Sequence, residues 1–234
     1  MTVRKILFLG PPEAGKTSLR KFLFEGVAAE DLLAQSEAPT IGLKYSTYNY
    51  VQTMPTDKEK KKGGEKVPVD LSVVDAAGQN LADWLDEKKE RVFPGCDVIF
   101  LIFDVSDWLD DEKRSEIEDL IMNVYNARVE LAPESSFFII GHKADLLPEG
   151  QTYREQMVKR IKKELNDYVF DKMMKYLDFA VYITSIKEEF AQDAFLTLLN
   201  LTVDLIGSAA PAEEEEKSDI QLDALEKRIK KGFE

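Results

Sequence analysis

Eight residues, Gly10-Pro11-Pro12-Glu13-Ala14-Gly15-Lys16-Thr17, form a glycine-bounded loop closed by a lysine and a hydroxyl, the types needed to hold a row of phosphates. The loop follows a short apolar run, Ile6-Leu7-Phe8-Leu9, and leads into a helical pattern of Leu19, Phe22 and Leu23. Strand, turn and helix in that order would turn backbone N–H groups inward at the positive end of a helix. Gly10, Pro11, Pro12, Glu13, Ala14, Gly15, Lys16, Thr17 and Ser18 are therefore candidate phosphate-binding residues. Lys16 would reach the outer phosphates, and the Thr17 hydroxyl would hold Mg²⁺. A Gly/Pro-rich turn with a chance lysine is the competing reading, and the flanking strand and helix weigh against it.

Asp75-Ala76-Ala77-Gly78-Gln79 ends a strand-like stretch, Val69 to Val74. A carboxylate there sits beside the phosphate loop in a doubly wound sheet, where Asp75 can hold Mg²⁺ through water. Gly78 can offer its N–H to a terminal phosphate, and Gln79 can position a water for in-line attack. Thr40, in Ala38-Pro39-Thr40-Ile41-Gly42, can supply a second hydroxyl to the metal. The expected metal set is Thr17, Thr40 and Asp75; the expected catalytic set is Lys16, Thr40 and Gln79.

Gly141-His142-Lys143-Ala144-Asp145 follows the apolar run Phe137 to Ile140. The Asp145 carboxylate can accept from both the N1–H and the exocyclic amine of guanine, a pair of donors that adenine lacks. Lys143 can lie along the base with its alkyl stem. Thr184-Ser185-Ile186, after a last short strand, can place backbone N–H groups near the guanine oxygen. His142, the one histidine of the chain, reads as a structural brace for this pocket rather than a catalytic base.

The elements that must position these residues alternate between strand-like and helix-like, which predicts an α/β domain with a six-stranded, mostly parallel sheet and helices on both faces. Val98 to Phe103 and Phe137 to Ile140 are wholly apolar, as strands buried on both faces should be. Lys44 to Gln52 and Val67 to Val74 alternate like an antiparallel hairpin, joined through the basic run Lys58 to Lys62, a solvated tip. Helices are expected near 81–92, 110–131, 152–176 and 187–206. In the third, Met157, Ile161 and Leu165 recur every four residues. Residues 1–207 read as the nucleotide domain, 208–217 as an acidic linker, and 218–234 as a short amphipathic helix or tail with Leu222, Leu225 and Ile229 on one stripe.

Composition fits this picture. The chain has 234 residues, 44% hydrophobic, and 31 basic against 44 acidic side chains give a formal charge of −13, which opposes general nucleic-acid binding. Cys96 stands alone, so no internal disulfide can form. The sequence carries no signal segment, no bilayer-length apolar run and no lipidation motif, and the cytoplasm is the expected address.

In order and spacing these motifs resemble the Ras superfamily over residues 3 to about 206. Within it the chain is most similar to the Rag/Gtr branch, through His142-Lys143-Ala144-Asp145, Thr184-Ser185-Ile186 before an acidic stretch, and Lys16-Thr17-Ser18-Leu19-Arg20 leading into Phe24. Phe93 to Ser106 also resembles the Arf and MglA-like branches. The resemblance implies the P-loop small-GTPase fold, with Thr40 in switch I, Asp75 to Gln79 opening switch II, and Gln79 as the hydrolytic glutamine. It implies a GTP- and Mg²⁺-binding switch; Pro12 and Glu13, at loop positions often small or Gly in the family, point to slow hydrolysis. The alternative is a nucleotide-holding scaffold without turnover. Implied partners are GTP and GDP, activating or exchange proteins, and a second GTPase or roadblock-type proteins. The residues after Gly207 are too few for a roadblock-type domain, as in a compact, archaeal-type relative or one whose roadblock modules are separate chains.

Overall fold

Strands built on uninterrupted apolar runs lie inside the sheet. β4 (Val98–Asp104) and β5 (Ser136–His142) lie side by side, and Val98 to Phe103 are wholly buried. These positions come from a computed structural model, which describes residues 2–34, 42–54, 65–78, 81–148, 151–173 and 179–187. β1 (Thr2–Leu9) pairs with β4 on one side and β3 (Glu65–Ala76) on the other; β2 (Leu43–Met54) and β6 (Phe179–Ile183) complete the order β2-β3-β1-β4-β5-β6. Every pairing is parallel except β2 with β3. The expected hairpin is present and longer than its alternation suggested, pairing from Leu43 opposite Ala76 to Met54 opposite Glu65. The Lys58 to Lys62 run lies outside the described residues.

Helices cover both faces. On one, α5 (Asp111–Leu131) packs Ile117, Ile121 and Val124, and α6 (Gln151–Met173) packs Ile161, Leu165 and Val169, against Leu7, Ile99, Phe137 and Val181 of the sheet. The α6 stripe continues the four-residue spacing that Ile161 and Leu165 set. Asp110 caps α5 by accepting from the N–H groups of Glu112 and Lys113, both at 3.1 Å, leaving fewer bare donors at its start. On the other face α1 (Lys16–Arg20) runs into one π-helical turn, Lys21–Glu25, ended by left-handed Gly26, and a short α2 (Ala29–Ala34) follows. Leu19 and Leu32 pack there against Ile6, Phe8 and Phe100. A chain of rings crosses that face, with Phe24 to Phe8 at 6.2 Å, Phe8 to Phe100 at 5.2 Å, Phe100 to Phe138 at 5.4 Å and Phe138 to Tyr182 at 6.1 Å. Each such pair adds about 0.5–1.5 kcal/mol beyond burial.

One expected helix is divided. In place of a single element over 81–92 there are α3 (Leu81–Leu85) and α4 (Lys89–Val92), because the Lys88 N–H reaches back to the Asp83 carbonyl (2.9 Å) while Asp86 and Glu87 turn to solvent. Trp84 anchors this corner: it is buried, its indole N–H donates to the Ala77 carbonyl at 3.2 Å, and the Lys88 ammonium lies 4.7 Å over its ring. Of the expected helix over 187–206 only Lys187 is described; the rest of it, the linker and the tail fall outside the described residues. Among the described residues no helix is long and apolar enough to cross a membrane.

Candidate functional site

The C-terminal ends of β1, β3, β5 and β6 open onto one rim, and all the motifs that the structure describes lie on it. In an open α/β sheet that rim is where ligands bind. After β1 the chain turns sharply at Gly10, whose φ of 148° and position leave no room for a side chain: a Cβ would meet the Ile102 carbonyl oxygen at 1.8 Å. Glu13 adopts φ 61° although it is not glycine, with its side chain exposed. Gly15, at φ 89°, is the N-cap of α1, and the Leu19 N–H bonds back to its carbonyl at 2.8 Å. Two of the three N–H donors of the buried Lys16 ammonium go to the loop's own carbonyls, Gly10 at 3.0 Å and Pro11 at 2.6 Å. Burial lowers the Lys16 pKa to about 8, against an opposing pull from Asp75.

Asp75, the next-to-last residue of β3, lies directly beside this loop and is wholly buried. Its Oδ2 accepts from the Thr17 hydroxyl at 2.8 Å, while Oδ1 has no hydrogen-bond partner among the described residues. Burial raises the Asp75 pKa, and the Thr17 hydrogen bond and the charges of Lys16, Arg20 and Lys44 oppose it. A carboxylate oxygen left open next to a threonine hydroxyl is a hard-oxygen donor set, which fits Mg²⁺ held mostly through water and phosphate. Thr40 and Gln79 lie outside the described residues. Gly78 presses onto the loop so closely that a Cβ would stand 2.3 Å from the Pro12 nitrogen. The Ala77 N–H, donating to the Gly42 carbonyl at 2.9 Å, ties the start of β2 to the end of β3.

The Gly141 to Asp145 segment lies on the far side of the same loop. His142 is buried at the end of β5; its Nδ1 is 2.9 Å from the Thr184 hydroxyl, and its ring edge fills the space beside Gly15, where a Cβ would meet Cδ2 at 2.6 Å. It therefore spans the 10–17 loop and the 184–186 segment. Lys143, left-handed at φ 60°, donates to Asp104 Oδ2 at 3.0 Å. Burial pushes the Asp104 pKa up, but hydrogen bonds from Ser106 and Lys143 outweigh it, and the net shift is downward. Asp145 carries the Ser185 hydroxyl on Oδ1 at 2.6 Å and the Lys187 ammonium on Oδ2 at 3.3 Å. Backbone bonds from the Ala144 N–H to the Thr184 carbonyl (3.0 Å) and from the Thr184 N–H to the Gly141 carbonyl (2.8 Å) lock the two segments together. Ile186 is buried beneath them.

Burial lowers the His142 pKa to about 4, with the Asp145 charge opposing, so the ring is neutral at pH 7 and keeps a single ring proton. In the unfolded chain the ring keeps the ordinary value of 6.5, so the unfolded state gains the proton first as pH falls, and stability present above pH 6.5 is lost on the way down to about 4. Urea melts at pH 7.5 and 4.5 should show His142→Asn losing about 2–3 kcal/mol less than the natural protein over that interval. Equal losses would mean that the folded protein accommodates a charged ring.

Glu25, Tyr48 and Asp104 are given no role by the sequence, and Arg20 enters it only as part of the resemblance, yet each touches a motif residue or its neighbour. Only the four-residue step from Lys16 to Arg20 hinted that the arginine shares a helix face with the loop lysine.

A family model described as the Gtr1/RagA G protein conserved region matches residues 5–206. The Ras-related GTP-binding protein B of Rattus norvegicus is 24% identical over 211 residues, 84% of this chain and 53% of its own length. The Ras-related GTP-binding protein A of Dictyostelium discoideum is 26% identical over 168 residues, 69% of this chain and 47% of its own length. The GTP-binding protein gtr1 of Schizosaccharomyces pombe is 25% identical over 150 residues, 62% of this chain and 41% of its own length. The chain thus spans about half the length of the curated relatives it matches. The family match runs from β1 past β6 and takes in the loop, Asp75, Asp145 and the 184–186 segment: the chain belongs to the Gtr1/RagA G protein family, with a small-GTPase fold.

Proposed function

We propose that the chain binds GTP with Mg²⁺, hydrolyses it slowly, and changes its affinity for partner proteins with the nucleotide it holds. The observation that supports this best is the close packing of Gly15 against His142, which puts the phosphate-type loop and the base-type motif within one nucleotide's length on the same rim. The loop's N–H groups, excepting those missing from Pro11 and Pro12, would wrap the phosphates, and the third Lys16 donor is available to them. Thr17, Asp75 through water, and Thr40 in the GTP state would hold Mg²⁺. When bound, that ion neutralises charge on the phosphate oxygens. Gly78 would offer its N–H to the terminal phosphate, and Gln79 would orient the attacking water. Asp145 would accept from the base, with Ser185 and Lys187 fixing its two oxygens and Thr184, Ser185 and Ile186 closing the pocket. Loss of the terminal phosphate would release the segments around Thr40 and Gln79, a change that a partner can read.

Turnover is expected to be slow because the arginine buried near the site, Arg20, has its guanidinium engaged by Glu25 and Tyr48, and an arginine aimed at the transferred phosphate is worth ~10³–10⁵ in rate. Single-turnover hydrolysis of bound GTP tests the reading: Gln79→Leu should slow it at least ~10-fold while leaving GTP affinity within a factor of about 3. Identical rates in the two proteins would remove Gln79 from the mechanism. Pro12, with no N–H, and Glu13, with its negative charge, favour a second reading, a scaffold that holds nucleotide without turnover, which absence of hydrolysis in both proteins would establish. On the first reading residues 1–207 are the switch, 208–217 a linker and 218–234 a partner-dependent helix. The partners would be activating or exchange proteins and a second GTPase or roadblock-type chain, met in the cytoplasm.

A further inference from the structure

Arg20, a charged side chain near the rim with no task in the proposed function, is 1% exposed. One helical turn beyond Lys16, it points its guanidinium between β3 and β2. Its Nε lies 3.8 Å from Asp75 Oδ2, the oxygen that already accepts from Thr17. Its Nη1 donates to the Glu25 carboxylate, to the Tyr48 hydroxyl and, at 3.3 Å, to the Ser46 hydroxyl. Tyr48 in turn donates to Glu25 at 2.8 Å and stacks on Phe24 with ring centroids 5.5 Å apart. Ser46 and Tyr48, two residues apart, share one face of β2, whose Lys44 stands opposite Asp75 in the hairpin register.

Buried polar atoms are nearly always hydrogen-bonded, yet Arg20 Nε and Asp75 Oδ1 both lack a partner among the described residues although the two side chains face each other. Arg20 thus balances the charge of Asp75 without consuming its free oxygen. The same guanidinium is fixed by two side chains of β2. The contact is an ion pair on one side and a hydrogen-bonded anchor on the other.

We infer that Arg20 is a positioning residue that holds the Asp75 carboxylate open toward the metal position and links it, through Tyr48 and Ser46, to strand β2. The inference rests on the reading that Asp75 serves the Mg²⁺ of a bound nucleotide. A partner that pulls on β2 would then loosen the metal position through the guanidinium, which makes the strand a lever on nucleotide release.

The test is release of a fluorescent GDP from the full chain as free Mg²⁺ is varied, with the rate in EDTA measured beside it. Arg20→Gln should raise the Mg²⁺ concentration for half-maximal slowing of release ~10-fold or more, since the carboxylate loses the guanidinium that fixes its orientation beside the Thr17 hydroxyl. Arg20→Lys, which keeps the charge, should recover part of that shift. Tyr48→Phe should move it ~2- to 5-fold in the same direction, and the double variant Arg20→Gln/Tyr48→Phe should be little worse than Arg20→Gln alone, as expected of residues acting in one chain. The EDTA rate should stay within about 2-fold throughout, because the loop and base contacts are untouched. A lowered melting temperature and a changed EDTA rate with an unmoved Mg²⁺ midpoint would reduce Arg20 to a packing residue and overturn the inference. Should Arg20→Gln fail to fold, Arg20→Lys and Tyr48→Phe decide, and an unmoved midpoint in both overturns it. If release from the natural protein ignores Mg²⁺ altogether, the reading of Asp75 as a metal residue falls first, and this inference with it.

Discussion

Replacing Asp145 with Asn is expected to move the base preference of the protein from guanine toward xanthine. The carboxylate has Oδ1 on the Ser185 hydroxyl and Oδ2 near the Lys187 ammonium, so both oxygens are held as acceptors. Guanine presents two adjacent donors, N1–H and the exocyclic amine. Adenine presents an acceptor at N1, which would leave this partly buried charge facing a lone pair. Sites built to hydrogen-bond a ligand group reject analogues without it by ~10⁴–10⁵, because the site's own polar atoms are left unmatched. GTP should therefore outcompete ATP at the natural protein by orders of magnitude. Asparagine turns one acceptor into an amide donor, which suits the 2-oxo group of xanthine, and it also dissolves the ion pair with Lys187. Competition among GTP, ATP and XTP, with Mg²⁺ present, should show XTP gaining on GTP in Asp145→Asn by at least ~10²-fold. If ATP competes equally with GTP at the natural protein, residues 142–145 do not read a base, and the proposed function goes with them.

How far the sequence foretold this site depended on how local each signal was. The 10–17 loop could be read because its glycines, lysine and threonine stand at a fixed local spacing, and the fold shows why one of them is needed: Gly10 faces the Ile102 carbonyl of β4, where a side chain has no room. The apolar runs of β4 and β5 announced burial on both faces, and the hairpin announced itself by alternation. The division of 81–92 into two short helices was not legible, since Trp84 looks the same in sequence whether it packs within a helix or ties a corner to the Ala77 carbonyl. The roles of Arg20, Tyr48 and Asp104 were equally hidden. Each depends on pairing between segments far apart in the chain, as when Lys143 finds Asp104, 39 positions away. Periodicity reports which face of an element is buried and says nothing of the charge opposite. For the same reason the link between Gly15 and His142 emerged only from the fold, although both belonged to motifs already marked.

Lys16 carries the remaining large effect, and its signature is a pair of opposite pH dependences. With its pKa lowered by burial to about 8 in the free protein, the ammonium is mostly charged at pH 7.5 and mostly neutral at pH 9. A bound polyphosphate would hold the charged form, so binding above pH 8 requires uptake of a proton and weakens as pH rises. GTP affinity should fall roughly 8-fold between pH 7.5 and 9 through this residue alone. Folding goes the other way. The unfolded lysine keeps its ordinary value of 10.5, so between about pH 8 and 10.5 the unfolded chain holds the proton that the folded one has released. Unliganded stability should rise with pH across that window, by about 3 kcal/mol from this group. Lys16→Met supplies the control, since it retains the titration of the guanine ring and of every other side chain. It should bind GTP roughly 10²-fold more weakly at pH 7.5, having lost a charge-assisted hydrogen bond to phosphate, and the extra 8-fold decline by pH 9 should vanish. Fluorescence titration at the two pH values, with denaturant melts of both unliganded proteins, measures all four quantities. A natural protein whose affinity declines no more than that of Lys16→Met would mean that the lysine is still fully charged at pH 9, and that its burial against Gly10 and Pro11 does not restrain its charge as this geometry requires.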